Sequence, residues 1–179
     1  ISHDETQQLL DKVAERSPKL VEDLVPEKLS LATITKVLQN ILDESVSVRD
    51  MRTILEVLST ESSRTQDVEE LTAAVRPKLG RMIVQGLVDV DDNLPVMTLN
   101  PALEQMLNNI LQQSGSSQGL VIEPKLAESL ISALAKNTRE IEDQGSAAVL
   151  VVSPTLRPWL SKFIRHRLSD LTVLSYSEI

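Results

Sequence analysis

The chain has 179 residues, a net charge of −8, no cysteine, and one residue each of Trp, Tyr and Phe. Those counts exclude disulfides and thiolate metal sites, demand an aliphatic core, and set an acidic surface that would repel phosphate backbones. The longest apolar run, Ala147–Val152, falls far short of the roughly 20 residues a membrane span needs.

The charge is unevenly spread. Residues 1–95 carry 11 basic and 18 acidic side chains, and residues 96–179 carry 7 and 8. The first residue is Ile1 rather than Met, a helix start follows almost at once, and no signal-peptide pattern precedes it, so the chain reads as an excised piece of something longer.

Ser2 with Glu5 three residues on is a capping box, opening a helix through Leu9, Leu10 and Val13 to about Ser17-Pro18. A short second helix with Leu20, Val21, Leu24 and Val25 stops before Pro26. Ser30 opens a third, whose stripe Leu31, Ile34, Val37, Leu38, Ile41 and Leu42 keeps helical spacing. Ser47 with Asp50 predicts a fourth, with Met51, Ile54, Leu55 and Leu58 inward. Asp67 with Glu70 predicts a longer fifth through Leu71, Val75, Leu79 and Ile83, which Pro77 should kink or split.

From Gly86 the period changes. Leu87-Val88 and Val96–Leu99 read as strands around the turn-rich stretch from Asp89 to Pro95, where the domain joint is expected. Asn100-Pro101 is an N-cap followed by an N1 proline, and Leu103, Leu107, Ile110 and Leu111 form the inward face of the helix that follows. A small loop from Ser114 to Gly119 precedes a strand at Leu120–Ile122, a long helix from Pro124 to about Gln144, a strand at Ala148–Val152, a helix from Pro154 and a last strand at Leu171–Ser175. Strand, helix, strand at this spacing implies a small parallel or mixed sheet with right-handed crossovers. The expected fold class is α+β, mostly helical: a helical, winged-helix-like subdomain over 1–92, then a small α/β subdomain over 93–179.

Residue chemistry offers little to an enzyme. Asp89, Asp91 and Asn93 imitate the start of a calcium loop, but Leu94 stands where the loop needs Gly and Asn100 where it needs Glu. Ser153 and His166 flank one helix, and 13 residues at about 1.5 Å each would hold them roughly 20 Å apart. Ser153 reads instead as an N-cap. The five glycines make no phosphate loop or nucleophile elbow, and the carboxylates at Glu69-Glu70 and at Glu140, Glu142 and Asp143 read as solvated helix faces. The expectation is no enzyme, no cofactor and no metal.

Residues 30–99 run helix, helix, helix, hairpin, the order of a winged helix, which raises DNA binding as a rival. The N-terminal turn of the third of those helices carries Asp67, Glu69 and Glu70, which would meet phosphates head on, so a winged shape used for protein contacts fits better. The one basic feature is the helix between Pro154 and Leu168, with Arg157, Lys162, Arg165, His166 and Arg167 and no acid. Its inward stripe is expected to be Leu156, Trp159, Leu160, Phe163 and Ile164. The cations suit the helix C-terminal dipole, and they also suit docking of an acidic partner, including the acidic half of a neighbouring copy.

The runs Lys19–Pro26, Lys36–Leu42, Val46–Glu56, Leu71–Arg76, Leu99–Glu104, Val149–Ser153, Leu156–Pro158 and Val173–Ile179 resemble, in order and over essentially the whole chain, the cytoplasmic region of the FlhA family of flagellar type III export gate proteins. The resemblance implies the last two subdomains of a protein integral to the bacterial inner membrane, with this part at its cytoplasmic face and not itself touching the bilayer. It implies a homo-oligomeric ring that docks export chaperone–substrate complexes and other export components, with no catalytic residue and no cofactor. The virulence type III secretion relatives share the fold and form the alternative, and the Val46–Glu56 run favours the flagellar branch. Candidate protein-contact residues are Arg49, Asp50, Arg52 and Glu56, together with Arg157, Lys162 and Arg165. Local capping and ion pairing account equally well for the first group.

Overall fold

The computed structural model describes residues 1–88, 92–115 and 121–179. They form two compact units, Ile1–Ile83 with Glu178, and Val84–Ser177 with Ile179.

The first unit is helical. The capping box closes as expected: the Glu5 amide donates to Ser2 Oγ at 3.2 Å, the Ser2 amide donates to Glu5 Oε2 at 2.8 Å, and α1 runs His3–Ala14. After α2 (Pro18–Leu24), the Ser30 hydroxyl accepts the Thr33 amide and starts α3 (Leu31–Asp43). Helix α4 (Met51–Glu61) begins later than the sequence suggests. Its cap is Asp50, which accepts the Thr53 amide at 3.2 Å, whereas Ser47 only accepts the Arg49 amide in the preceding turn. Helix α5 (Val68–Gln85) is capped by Asp67 and passes through Pro77 without splitting. Helix α1 packs on α2, α3 and α4, and α2 on α4. Leu10, Leu24, Ile34, Leu38, Ile41, Ile54, Leu55, Leu58, Leu71 and Leu79 are fully buried, the aliphatic core that a chain so poor in aromatics requires.

The second unit is α/β. Asn100 Oδ1 accepts the Ala102 amide, and Pro101, which has no N–H to leave unpaired, opens α6 (Pro101–Ser114). Then come α7 (Pro124–Asp143), β2 (Val149–Val152), α8 (Arg157–Ile164) and β3 (Thr172–Ser175), with β1 (Met97–Thr98) ahead of α6. Among the described residues the sheet has three strands in the order β1-β2-β3, all parallel, with Met97 opposite Leu150 and Val149 opposite Thr172. All four residues of β2 are buried, the pattern of a central strand covered on both faces. Leu107, Leu130, Leu134, Leu156, Leu160 and Ile164 share one buried cluster with Leu150 and Val152 of that strand. The protein is therefore α+β and mostly helical with a small parallel sheet, as expected.

Two expected strands are not seen among the described residues. Leu87-Val88 is a turn and bend, and Val121-Ile122 is irregular with Val121 exposed; Leu120 lies outside the described residues. Among the described residues the expected wing hairpin is consequently not seen after α5, and Met97–Thr98 pairs in parallel with β2 instead. Apolar pairs this short carry too little periodicity to tell strand from turn, and a partner about 50 residues away leaves no local mark. Asp89 and Asp91, and the loop from Ser116 to Gly119, also lie outside the described residues.

Candidate functional site

The two surfaces singled out in the sequence fall on separate units, and each was built by its own helix.

On α4 the apolar face Met51, Ile54, Leu55 and Leu58 is buried, which turns Arg52 and Glu56 outward at i, i+4. Arg52 Nε donates to Glu56 Oε1 at 2.9 Å, with the two side chains 71% and 52% exposed. Arg49 and Asp50 are exposed beside them, and Asp50 caps the helix. The four residues thus form one solvent-facing patch at the start of α4. An ion pair so exposed adds only tenths of a kcal/mol, roughly, so the Arg52–Glu56 pair contributes little to folding.

On α8 the inward face is Leu156, Leu160 and Ile164. Trp159 and Phe163, expected in that stripe, pack against the same core while staying half-buried, and their rings stack with centroids 5.0 Å apart and planes 15° from parallel. Arg167 Cζ sits 5.5 Å from the centre of the Phe163 ring, a cation–π contact. Arg157 corrects the sequence reading in the other direction. It is 4% exposed and so belongs to the unit's interior, not to a docking face. Lys162 is exposed and Arg165 partly so, which leaves those two with Arg167 and the Trp159–Phe163 pair as the accessible ridge. Sequence spacing could not separate these roles, since a Trp or Phe at helical spacing serves a core and a ridge equally.

Ser153 is engaged on both its hydroxyl and its backbone. Its hydroxyl donates to Asn108 Oδ1 at 3.1 Å and accepts the Leu156 amide at 3.3 Å, while its carbonyl accepts from Leu156 and Arg157. It opens the turn before α8 rather than capping the helix itself. The Ser153 amide donates to Glu104 Oε1 at 2.6 Å, and Tyr176 Oη donates to Glu104 Oε2 at 2.9 Å. The hydrogen bond to Glu104, then burial, then the carboxylate charge hold the Tyr176 phenol above its ordinary pKa. This network joins α6 to the chain leaving β2 and β3, and no local pattern marks it.

A groove of about 410 Å³ in the first unit is lined by Ile1, Glu5, Gln8, Leu9, Lys12 and Leu42. Its carboxylate is already engaged: the backbone hydrogen bond from Ser2 holds Glu5 below the usual carboxylate range. Among the described residues no three His, Cys, Asp or Glu side chains gather as metal ligands, and no helix is long and apolar enough to cross a membrane.

Residues 1–179 match the model of the FHIPEP family. The flagellar biosynthesis protein FlhA of Escherichia coli (strain K12) is 46% identical over 175 residues, covering 98% of this chain and 25% of that protein. FlhA of Bacillus subtilis (strain 168) is 33% identical over 179 residues, covering 100% of this chain and 26% of that protein. The cryo-EM structure of nonameric EPEC SctV-C is similar over 100% of this chain and 53% of that chain, with a TM-score of 0.87 and 30% identity. The chain spans about a quarter of the length of the curated relatives it matches.

Proposed function

Because this chain belongs to the FHIPEP family, whose flagellar members it matches along nearly its whole length, we propose that it is the cytoplasmic part of a flagellar type III export gate that docks export chaperones, their substrates and other export components. The observation that carries the flagellar branch is the 46% identity to a flagellar FlhA, against 30% to a virulence counterpart of nearly the same fold. The name of that counterpart describes a nonamer, which supports a ring of copies here as well. In the whole protein this part lies at the inner face of the bacterial inner membrane.

The contact surfaces of this reading are the α4 patch of Arg49, Asp50, Arg52 and Glu56, and the α8 ridge of Lys162 and Arg165 with Trp159, Phe163 and Arg167. Both present charge to solvent, and the second pairs arginine with aromatics, the composition enriched at interface centres. Docking then follows from complementary charge and ring contact, with weak, salt-sensitive association and no turnover. DNA binding finds no support: Glu69 and Glu70 occupy the first turn of α5, and Met97–Thr98, expected in the wing, pairs with β2 instead.

The test is secretion. In a flagellated host, removing the region that encodes this chain is expected to abolish release of hook and filament proteins while the truncated protein remains in the membrane. Unchanged release would reject the flagellar reading.

A further inference from the structure

Arg76 is buried on α5 with its guanidinium between two carboxylates of the first unit. Nε donates to Glu178 Oε1 at 2.7 Å, and Nη1 lies 3.2 Å from Glu44 Oε2, outside hydrogen-bonding geometry. One turn further along the same helix face stands Gly80, and a Cβ placed there would collide with the backbone carbonyl of Glu178. Arg76 and Gly80 at i, i+4 therefore make a notch, one residue supplying charge and the other supplying room for a peptide backbone. Glu178 fills it. Its neighbours on either side, Ser177 and Ile179, are exposed, Ile179 by 63%, so one buried residue between two exposed ones seats this segment.

Withdrawing the partner of a buried arginine ordinarily strands a charge away from water, which is why such pairs are hard to open. Glu44 changes that balance, because its carboxylate stays beside Nη1 when Glu178 leaves. We propose that the Arg76–Gly80 notch is a recognition site for an extended, glutamate-bearing peptide segment, and that Glu178 is its displaceable intramolecular occupant. The carboxylate supplies the charge-assisted hydrogen bond to Nε, and the backbone of the same residue lies flat on Gly80. A second glutamate-bearing segment exchanges with Glu178 by taking both contacts.

The chain has no cysteine, so a nitroxide on Ile179→Cys reports on the segment alone. In the otherwise unaltered chain the label is expected to be less mobile than with either Glu178→Gln or Gly80→Ala. Glu178→Gln replaces a charge-assisted hydrogen bond by a neutral one and should raise the mobile fraction about tenfold, with helix content by circular dichroism unchanged. Gly80→Ala should mobilise the label by displacing the backbone while leaving Arg76 and Glu44 in place. Added Ser-Tyr-Ser-Glu-Ile peptide should mobilise the label in the unaltered chain, and the same peptide with Gln for Glu should not. A label equally immobile in both variants, a loss of helix content in both, or equal effects of the two peptides would overturn the proposal.

Discussion

The phenol of Tyr176 donates a 2.9 Å hydrogen bond to the carboxylate of Glu104, a residue 72 positions earlier in the chain. That bond ties the end of β3 to α6 and sets a pH dependence. Tyr176 has its pKa raised above the ordinary 10.0 by the bond itself, by burial and by the Glu104 charge. Its contribution is complete below the unfolded tyrosine pKa and is lost as pH rises through the higher folded value. The stability difference between the unaltered chain and Tyr176→Phe, from urea unfolding, should be constant through neutral pH and shrink above about pH 10. A difference that grew there would refute this account.

Glu104 serves two donors, so its removal should be felt more than that of Tyr176. Glu104→Ala leaves the part-buried Ser153 amide without its 2.6 Å acceptor, at a cost of about 1–3 kcal/mol in denaturant unfolding. Glu104→Gln keeps one carbonyl acceptor and should lose less. Equal losses would mean that the charge rather than the acceptor geometry matters.

Helices α3 and α7 end in the same motif with different residues at its left-handed position. After α3, the Ser45 and Val46 amides return to the Leu42 and Ile41 carbonyls with Ser45 at φ 60°; after α7, the Gly145 and Ser146 amides return to Glu142 and Ile141 with Gly145 at φ 83°. A serine pays for that conformation with Cβ strain that glycine avoids. Ser45→Gly should therefore raise thermal stability by about 0.5–1 kcal/mol and Gly145→Ala should lower it by about 1 kcal/mol.

Charge reversal should separate the two kinds of cation at α8. Arg157→Glu places an acid in a buried site and should destabilise by about 3 kcal/mol or more. Lys162→Glu with Arg165→Glu should stay within about 0.5 kcal/mol while reducing secretion of filament protein. Normal secretion at normal protein level in that double variant would remove the ridge from the docking surfaces.

The α4 patch admits the same separation. Arg52→Glu breaks an ion pair that is largely exposed, so its thermal midpoint should move little, by about 0.5 kcal/mol or less. Under the export-gate reading it should still lower secretion, and Arg52→Glu with Glu56→Arg, which restores the pair with reversed charges, should not restore it. Recovery in the double variant would mean the pair matters only to the helix.

Some of this was legible residue by residue. The caps at Ser2, Ser30, Asp67 and Asn100 sit where the sequence puts them, because a capping side chain and the amide it accepts are two or three residues apart. The cap at Ser47 failed for the same local reason: Asp50, three residues later, is an equally good acceptor, and only the burial of Met51 decides where α4 begins. The candidate contacts divided similarly. The i, i+4 spacing of Arg52 and Glu56 foretold their pairing, whereas nothing near Arg157 distinguishes it from the exposed Lys162.

Composition and local pattern were enough for the aliphatic core, the positions of the long helices, the α/β character of the second half and the family resemblance, since each rests on patterns within a few turns of chain. Long-range packing was needed to see that Met97–Thr98 joins β2 rather than a hairpin, that Arg157 turns inward, and that Glu104 and Arg76 meet Tyr176 and Glu178. Those outcomes join residues from about 50 to 102 positions apart. The energy that selects such pairs comes from desolvating both partners together, and neither partner's own neighbourhood records it.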